Sequence, residues 1–268
     1  MPEQSPEFAN VFADVAAAAA ELDQLVSPLD DDQWQLPTPA PGWTIAHQVA
    51  HLSANFHLVA AAATDPDEYQ ARTASFGGDF DANQAALLAP YLAQPARALL
   101  HRWRVEFAAA ERALAQVPDG QLVPWLRSLP APVLAAAGVM ELFAHGQDIA
   151  DALRRPRRYP DWVRPLVGFA VRNWDFGYRA RGLPVPEIEL RYELTAPSGA
   201  VWEHGPAGAT ERIAGPAVDF CLLVTRRRHR ADLALVATGA EADRWLDLAQ
   251  AYRGGPGADR APGQFAYR

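Results

Sequence analysis

One stretch limits the folds open to this chain more than any other. Between Val133 and Leu153 runs a mostly apolar segment of helical spacing, yet Glu141, His145 and Asp148 sit inside it. A helix advances about 3.6 residues per turn, so Glu141 and His145 share one face a turn apart, and Asp148 returns close to that face. Their neighbours Met140, Phe143 and Ile149 argue for burial. A buried carboxylate and imidazole rarely go without partners. A candidate partner lies far upstream in Ala46-His47-Gln48-Val49-Ala50-His51-Leu52, also expected to be helical. Whether these two helices meet is the question on which the fold turns.

The rest of the N-terminal half supports a helical reading. Helices are expected over residues 6–27, 45–63 and 133–153, with a third helical region over 81–117 broken near Pro90 or Pro95. A proline inside a helix costs roughly 3 kcal/mol. Thr44 is a good N-cap for the second helix. Residues 29–41 and 125–132 read as connectors, and 66–80 as a mobile loop. Four helices in about 150 residues suggest a four-helix bundle.

Arg154-Arg155-Pro156-Arg157-Arg158-Tyr159-Pro160 marks the expected boundary between domains 1–155 and 156–268. The arginines read as a helix C-terminus, where they offset the dipole, followed by a solvated linker, with an anion site as the alternative. A fifth helix is expected over 161–180. Beyond Pro186 the period changes to two in Glu187–Thr195, a half-buried strand, followed by a turn at Ala196–Gly199 and a returning strand at 200–204. A helix over 215–227, a strand over 233–238 and a closing helix over 240–252 complete a small α+β domain. The Gly- and Pro-rich tail from Gly254 is expected to fray. The fold class is α+β: a bundle, then a small mixed domain.

Composition narrows the chemistry. The formal net charge of −8 disfavours nucleic acid as a partner. Every basic residue is arginine and none is lysine, which excludes Schiff-base and lysine general-base mechanisms. The lone Cys221 cannot form an intramolecular disulfide, and its apolar setting makes it a buried structural thiol. Met1-Pro2-Glu3-Gln4 has no basic segment leading into an apolar one, and the alanine run at 16–20 is too short to cross a bilayer. A cytoplasmic protein without membrane contact is expected.

His51, Glu141 and His145 would give two imidazoles and one carboxylate, leaving an open coordination position, as in catalytic rather than structural zinc sites. Ligand type admits zinc, nickel, iron or copper. Asp148 fits as a partner that accepts an imidazole proton and orients the ring. His47, one turn before His51, could be a fourth ligand, an outer partner, substrate-facing or solvated. His57 and His101 have no partner visible in the sequence, and His204 and His229 belong to the second domain. Without a metal, Glu141 and His145 are an ordinary i,i+4 pair.

Two segments carry a family resemblance. Pro39-Ala40-Pro41-Gly42-Trp43-Thr44 with Ile45–Leu52 resembles the helix-two signature of the mycothiol-dependent maleylpyruvate isomerase family, and Met140–Leu153 resembles its helix-four signature. That family lies in the DinB-like superfamily of four-helix-bundle metalloproteins, and the likeness covers the first ~155 residues. The C-terminal part is similar in layout to the small sterol-carrier-like domain often attached to such bundles. The resemblance implies a divalent metal, usually zinc, at His51, Glu141 and His145, and mycothiol as a thiol cofactor. In that isomerase the thiolate adds to a conjugated double bond, rotation follows, and elimination regenerates the thiol. It also implies an arginine of the second domain holding an anionic substrate; Arg226, Arg227 and Arg228 are candidates, and Arg227 is favoured by position. Neither Phe56 and His57 nor the 66–80 loop matches a maleylpyruvate pattern, so the substrate does not carry over, and the chain resembles an uncharacterised branch. The expectation is a metal-dependent isomerase or thiol transferase acting on a small molecule, as monomer or homodimer. The alternatives are a thiol-independent lyase, cyclase or hydrolase, and a non-catalytic small-molecule-binding protein.

Overall fold

A computed structural model of the chain describes residues 6–74, 78–125 and 128–265. Two compact units emerge: Asn10–Arg155, and Pro156–Arg268 together with Met1–Ala9. The fold class is α+β, with a helical bundle first and a small sheet-bearing unit after it.

In the first unit, α1 (Val11–Val26) buries Val11, Val15, Ala18, Ala19, Leu22 and Val26, a stripe at helical spacing. The expected first helix began earlier. Pro6–Phe8 is instead a separate 3-10 turn, and Phe8 belongs to the other unit. The following connector holds a short helix, α2 (Asp31–Trp34), nucleated by a capping box in which Asp30 and Gln33 bond each other's backbone N–H. It delivers Trp34 to the core at 2% exposure.

Next come α3 (Ile45–Thr64), α4 (Pro66–Thr73), α5 (Phe80–Leu92) and α6 (Ala96–Ala115). The expected mobile loop is thus largely the helix α4, started by Pro66 at its first position and by the Asp65 side chain accepting from the Glu68 N–H; residues 75–77 of it lie outside the described residues. The expected break in the third helical region falls at Pro95, which precedes α6, while Pro90 is accommodated inside α5. The second expected connector contributes one strand, β2 (Leu129–Pro130), which pairs with β1 (Leu122–Val123) just before it; residues 126–127 again lie outside the described residues. Then α7 (Ala131–Ala152) spans the bundle. Arg154, in the left-handed region at φ 52°, closes it, with the Arg155 N–H donating to the Ala150 carbonyl.

The bundle is made by α3 against α6, α1 against α7, and α3 against α7. Phe56 packs edge-on to Trp103 and Phe107, with ring centroids 5.7 and 5.1 Å apart. Gly138 of α7 gives them room: a Cβ there would lie 3.3 Å from the Phe56 ring. Full burial of such a side chain stabilises by about 1.5–3 kcal/mol. Among the described residues, no helix is long and apolar enough to cross a membrane.

In the second unit the expected fifth helix is broken into a 3-10 turn at Asp161–Val163, α8 (Arg164–Arg172) and α9 (Phe176–Ala180). The sheet contains β3 (Leu190–Thr195), β4 (Val201–His204), β5 (Glu211–Pro216) and β6 (Val236–Thr238), in the order β4-β3-β5-β6. β3 pairs antiparallel with β4, Leu194 facing Trp202, and parallel with β5, Tyr192 facing Ile213. β5 is a strand where only the leading edge of a helix was expected. Its sequence carries Gly215 and Pro216, and pairing with β3 on one side and β6 on the other makes it a strand. The helix proper, α10 (Ala217–Val224), starts just beyond. Helix α11 (Ala240–Leu248) places Trp245 against Tyr192 and Phe220, at ring distances of 5.8 and 5.9 Å. Cys221 is fully buried in this core, and burial pushes its thiol well up. The tail from Gly254 does not fray over its described part. Asp259 pairs with Arg226, and the Gly263 N–H donates to the Asp232 carboxylate at 2.8 Å.

Candidate metal centre

The site is assembled around α3 and α7. A turn at Ala40–Trp43 precedes α3, with the Trp43 N–H donating to the Ala40 carbonyl at 3.0 Å. Pro41 and Gly42 hold its middle, and Gly42 at φ 77° supplies the left-handed residue a type II turn needs. The turn sets the Trp43 ring beside the imidazoles of His51 and His145, at centroid distances of 5.3 and 6.0 Å. An aromatic face thus covers one side of the pair.

From α7, Glu141 and His145 project one turn apart, as the spacing demanded. From α3, His51 meets them. His51 Nε2 lies 3.3 Å and His145 Nε2 3.1 Å from the same oxygen, Glu141 Oε2. One ligand atom from each of the three residues falls within 4.8 Å of the others, close enough to hold a single metal ion. The side chains of His51 and His145 are 11% and 12% exposed and that of Glu141 25%, so the cluster is largely sheltered. Burial raises the Glu141 carboxyl pKa. Hydrogen bonds from His145 and His51 more than reverse this and hold it well below the usual carboxylate range. The donor set of two imidazoles and a carboxylate suits a borderline cation such as zinc.

The other expected participants are distributed differently. His47 caps α3: its Nδ1 accepts the Thr44 N–H at 3.3 Å and lies 2.9 Å from the Thr44 hydroxyl. Burial lowers its pKa, consistent with a neutral ring that accepts. Asp148 is fully buried in the bundle. His57 does have a partner, Glu106 of α6, at 2.7 Å. Arg227 belongs to the other unit, where it follows α10 and donates to the Thr225 carbonyl at 2.6 Å. Beside it, Arg226 takes a left-handed backbone at φ 57° and Arg228 lies over the Phe265 ring at 4.3 Å.

Three residues at the centre were not singled out from the sequence. Gln48 Oε1 lies 2.5 Å from His145 Nδ1, Gln84 Oε1 lies 3.1 Å from His51 Nδ1, and Asn55 Nδ2 lies 2.9 Å from His51 Nε2 and 3.5 Å from Glu141 Oε2. Gln48 and Asn55 were within reach of helical geometry, since both share the His51 face three or four positions away. Gln84 was not, because α5 is distant in sequence.

Fold and site define a helical-bundle protein with a His–Glu–His cluster between its helices. The chain belongs to the family described as Mycothiol maleylpyruvate isomerase N-terminal domain, which it matches over residues 15–150. Residues 189–238 match a second family, described as Wyosine base formation. Two uncharacterised proteins, from two strains of Mycobacterium tuberculosis, are each 40% identical over 256 residues, covering 92% of this chain and 97% of the relative. Among solved structures, the chain is similar to a mycothiol-dependent maleylpyruvate isomerase at a TM-score of 0.56 and 14% identity, covering 86% of this chain and 92% of that one. A histidine-to-alanine mutant of such an isomerase is similar at the same TM-score. At these identities the structural likeness shows the fold.

Proposed function

We propose that this protein is a metal-dependent enzyme of the isomerase or thiol-transferase type, acting on a small electrophilic organic molecule. The convergence of His51 Nε2, Glu141 Oε2 and His145 Nε2 on one point carries the reading. These three would hold a divalent cation, with zinc best suited to the donor set. A bound cation of this kind supplies Lewis acidity and makes a coordinated thiol or water far more acidic than in solution.

The chain's own residues do the rest. Three ligands leave a coordination position free, and their single negative charge leaves a divalent centre net positive, which favours an anionic occupant such as a thiolate. Trp43 shields the imidazoles on one side, and the Asn55 amide stands beside the ligand atoms, where it can donate to a bound group. Membership of the isomerase family supports mycothiol as the thiol. Arg227 is proposed as the anchor for an anionic substrate, and Asp148 as a buried support for the cluster.

Metal content tests the site. Purified protein should carry close to one metal per chain, and the His51→Ala and His145→Ala variants less than ~0.2 while still folded. Equal content in all three would remove the centre. Thiol dependence tests the reaction. Turnover of cis-enoyl diacids with mycothiol and none without it is expected; activity on any substrate that ignores the thiol would favour a water-activating lyase or hydrolase instead.

A further inference from the structure

The hydrogen bonds behind His145 form a directed chain that ends on a group unable to reverse it. The carbonyl oxygen of Trp43 is an acceptor only, and Thr38 gives it both its backbone N–H and its hydroxyl, each at 2.8 Å. With its one hydroxyl proton spent there, Thr38 Oγ1 can only accept from Gln48, 2.8 Å away. Gln48 must therefore turn its amide nitrogen toward Thr38, and its oxygen is left facing His145 Nδ1 at 2.5 Å. Gln48 is fully buried, so no solvent competes for these groups.

We propose that Gln48, locked by Thr38 and the Trp43 carbonyl, holds the proton of His145 on Nδ1 and thereby commits Nε2 to the centre as a ligand. Gln48 is a positioning residue, acting through His145. The inference deepens the metal reading and rests on it for the affinity measurement below, not for the proton assignment. It gives the Pro41–Trp43 turn a second task. The same residue whose ring covers the imidazoles also anchors, through its carbonyl, the bond that orients one of them. In His51, Nδ1 faces the side-chain oxygen of Gln84 of α5 at 3.1 Å. An amide in this role differs from the carboxylate that often backs a ligating histidine, because it orients the ring without adding negative charge.

The test uses the full chain labelled with 15N at histidine. In the metal-free wild type, the Nδ1 of His145 is expected to carry a proton whatever occupies Nε2. In Gln48→Met, which keeps the bulk and loses the acceptor, the neutral ring should move its proton to Nε2, where Glu141 accepts it. Zinc affinity by chelator competition should fall about 10–100-fold in Gln48→Met, the usual range for losing such a partner. It should recover in Gln48→Glu, whose carboxylate still accepts from Nδ1. Should Gln48→Met fail to fold, Thr38→Val serves, since it leaves Gln48 in place but unlocks its amide; an intermediate loss of affinity is expected. An unprotonated Nδ1 in the wild type overturns the proposal, as does wild-type zinc affinity in Gln48→Met. A protonated Nδ1 in a wild type that binds no metal would sink the metal reading and leave the assignment standing.

Discussion

At the scale of single residues, Glu141 decides how the centre behaves without metal. Two imidazoles hydrogen-bond its carboxylate and depress its pKa despite burial. A carboxyl whose folded pKa lies below its unfolded one stabilises the fold at every pH above the unfolded value. That contribution is lost as pH falls through and below the ordinary carboxylate range. Thermal melts of the metal-free protein should therefore weaken steadily below about pH 4.5. Glu141→Gln should flatten that acid limb and lower stability at neutral pH; an unchanged acid limb would mean the imidazoles do not pair with Glu141. Gly177 is a second decisive position, for steric reasons. A Cβ there would sit 2.0 Å from the carbonyl oxygen of Leu248, a backbone atom that cannot swing aside. Gly177→Ala should cost about 1–3 kcal/mol by denaturant unfolding, as overpacking does; a neutral effect would show that α9 and the end of α11 separate freely.

At the scale of elements, the turn before α3 works as part of the centre. Its conformation depends on Gly42, because a side chain at φ 77° is strained whatever the space around it. Gly42→Val should leave the bundle folded, shift the Trp43 emission and weaken metal binding through both the covering ring and the Thr38–Gln48 bond. Unaltered emission and affinity together would show the turn to be passive. The elements also show what periodicity could and could not reveal. The stripe of α1 and the apolar face of α7 were legible because each is written in consecutive turns of one helix. Helix α4 was hidden: most of its eight residues are polar, with Tyr69 the buried one, and a short polar helix looks like a loop until a cap is recognised. Strand β5 was hidden for the opposite reason, since its identity lies in its partners β3 and β6, each some twenty residues away.

At the scale of the whole molecule, metal and stability should be linked. A ligand that binds only the folded state stabilises it by RT ln(1 + [L]/Kd), about 2.7 kcal/mol at a hundredfold excess over Kd. Chelation should lower the melting transition seen by fluorescence and raise it again on adding zinc. The His51→Ala variant should respond to neither, and a variant that did respond would place the metal elsewhere. The sequence alone determined much of this protein: the helices that span the bundle, the alternation that builds β3 and β4, the buried cysteine, the absence of lysine chemistry, and the three candidate ligands in their two signatures. Those properties follow from local periodicity and residue type, which need no knowledge of distant neighbours. Only the tertiary structure decided that His51 meets Glu141 and His145 at one oxygen, that His47 turns away to cap its own helix, and that Gln48, Gln84 and Asn55 complete the surroundings. Those choices depend on how α3, α5 and α7 pack, and a hydrogen bond between residues 97 positions apart has no local signature.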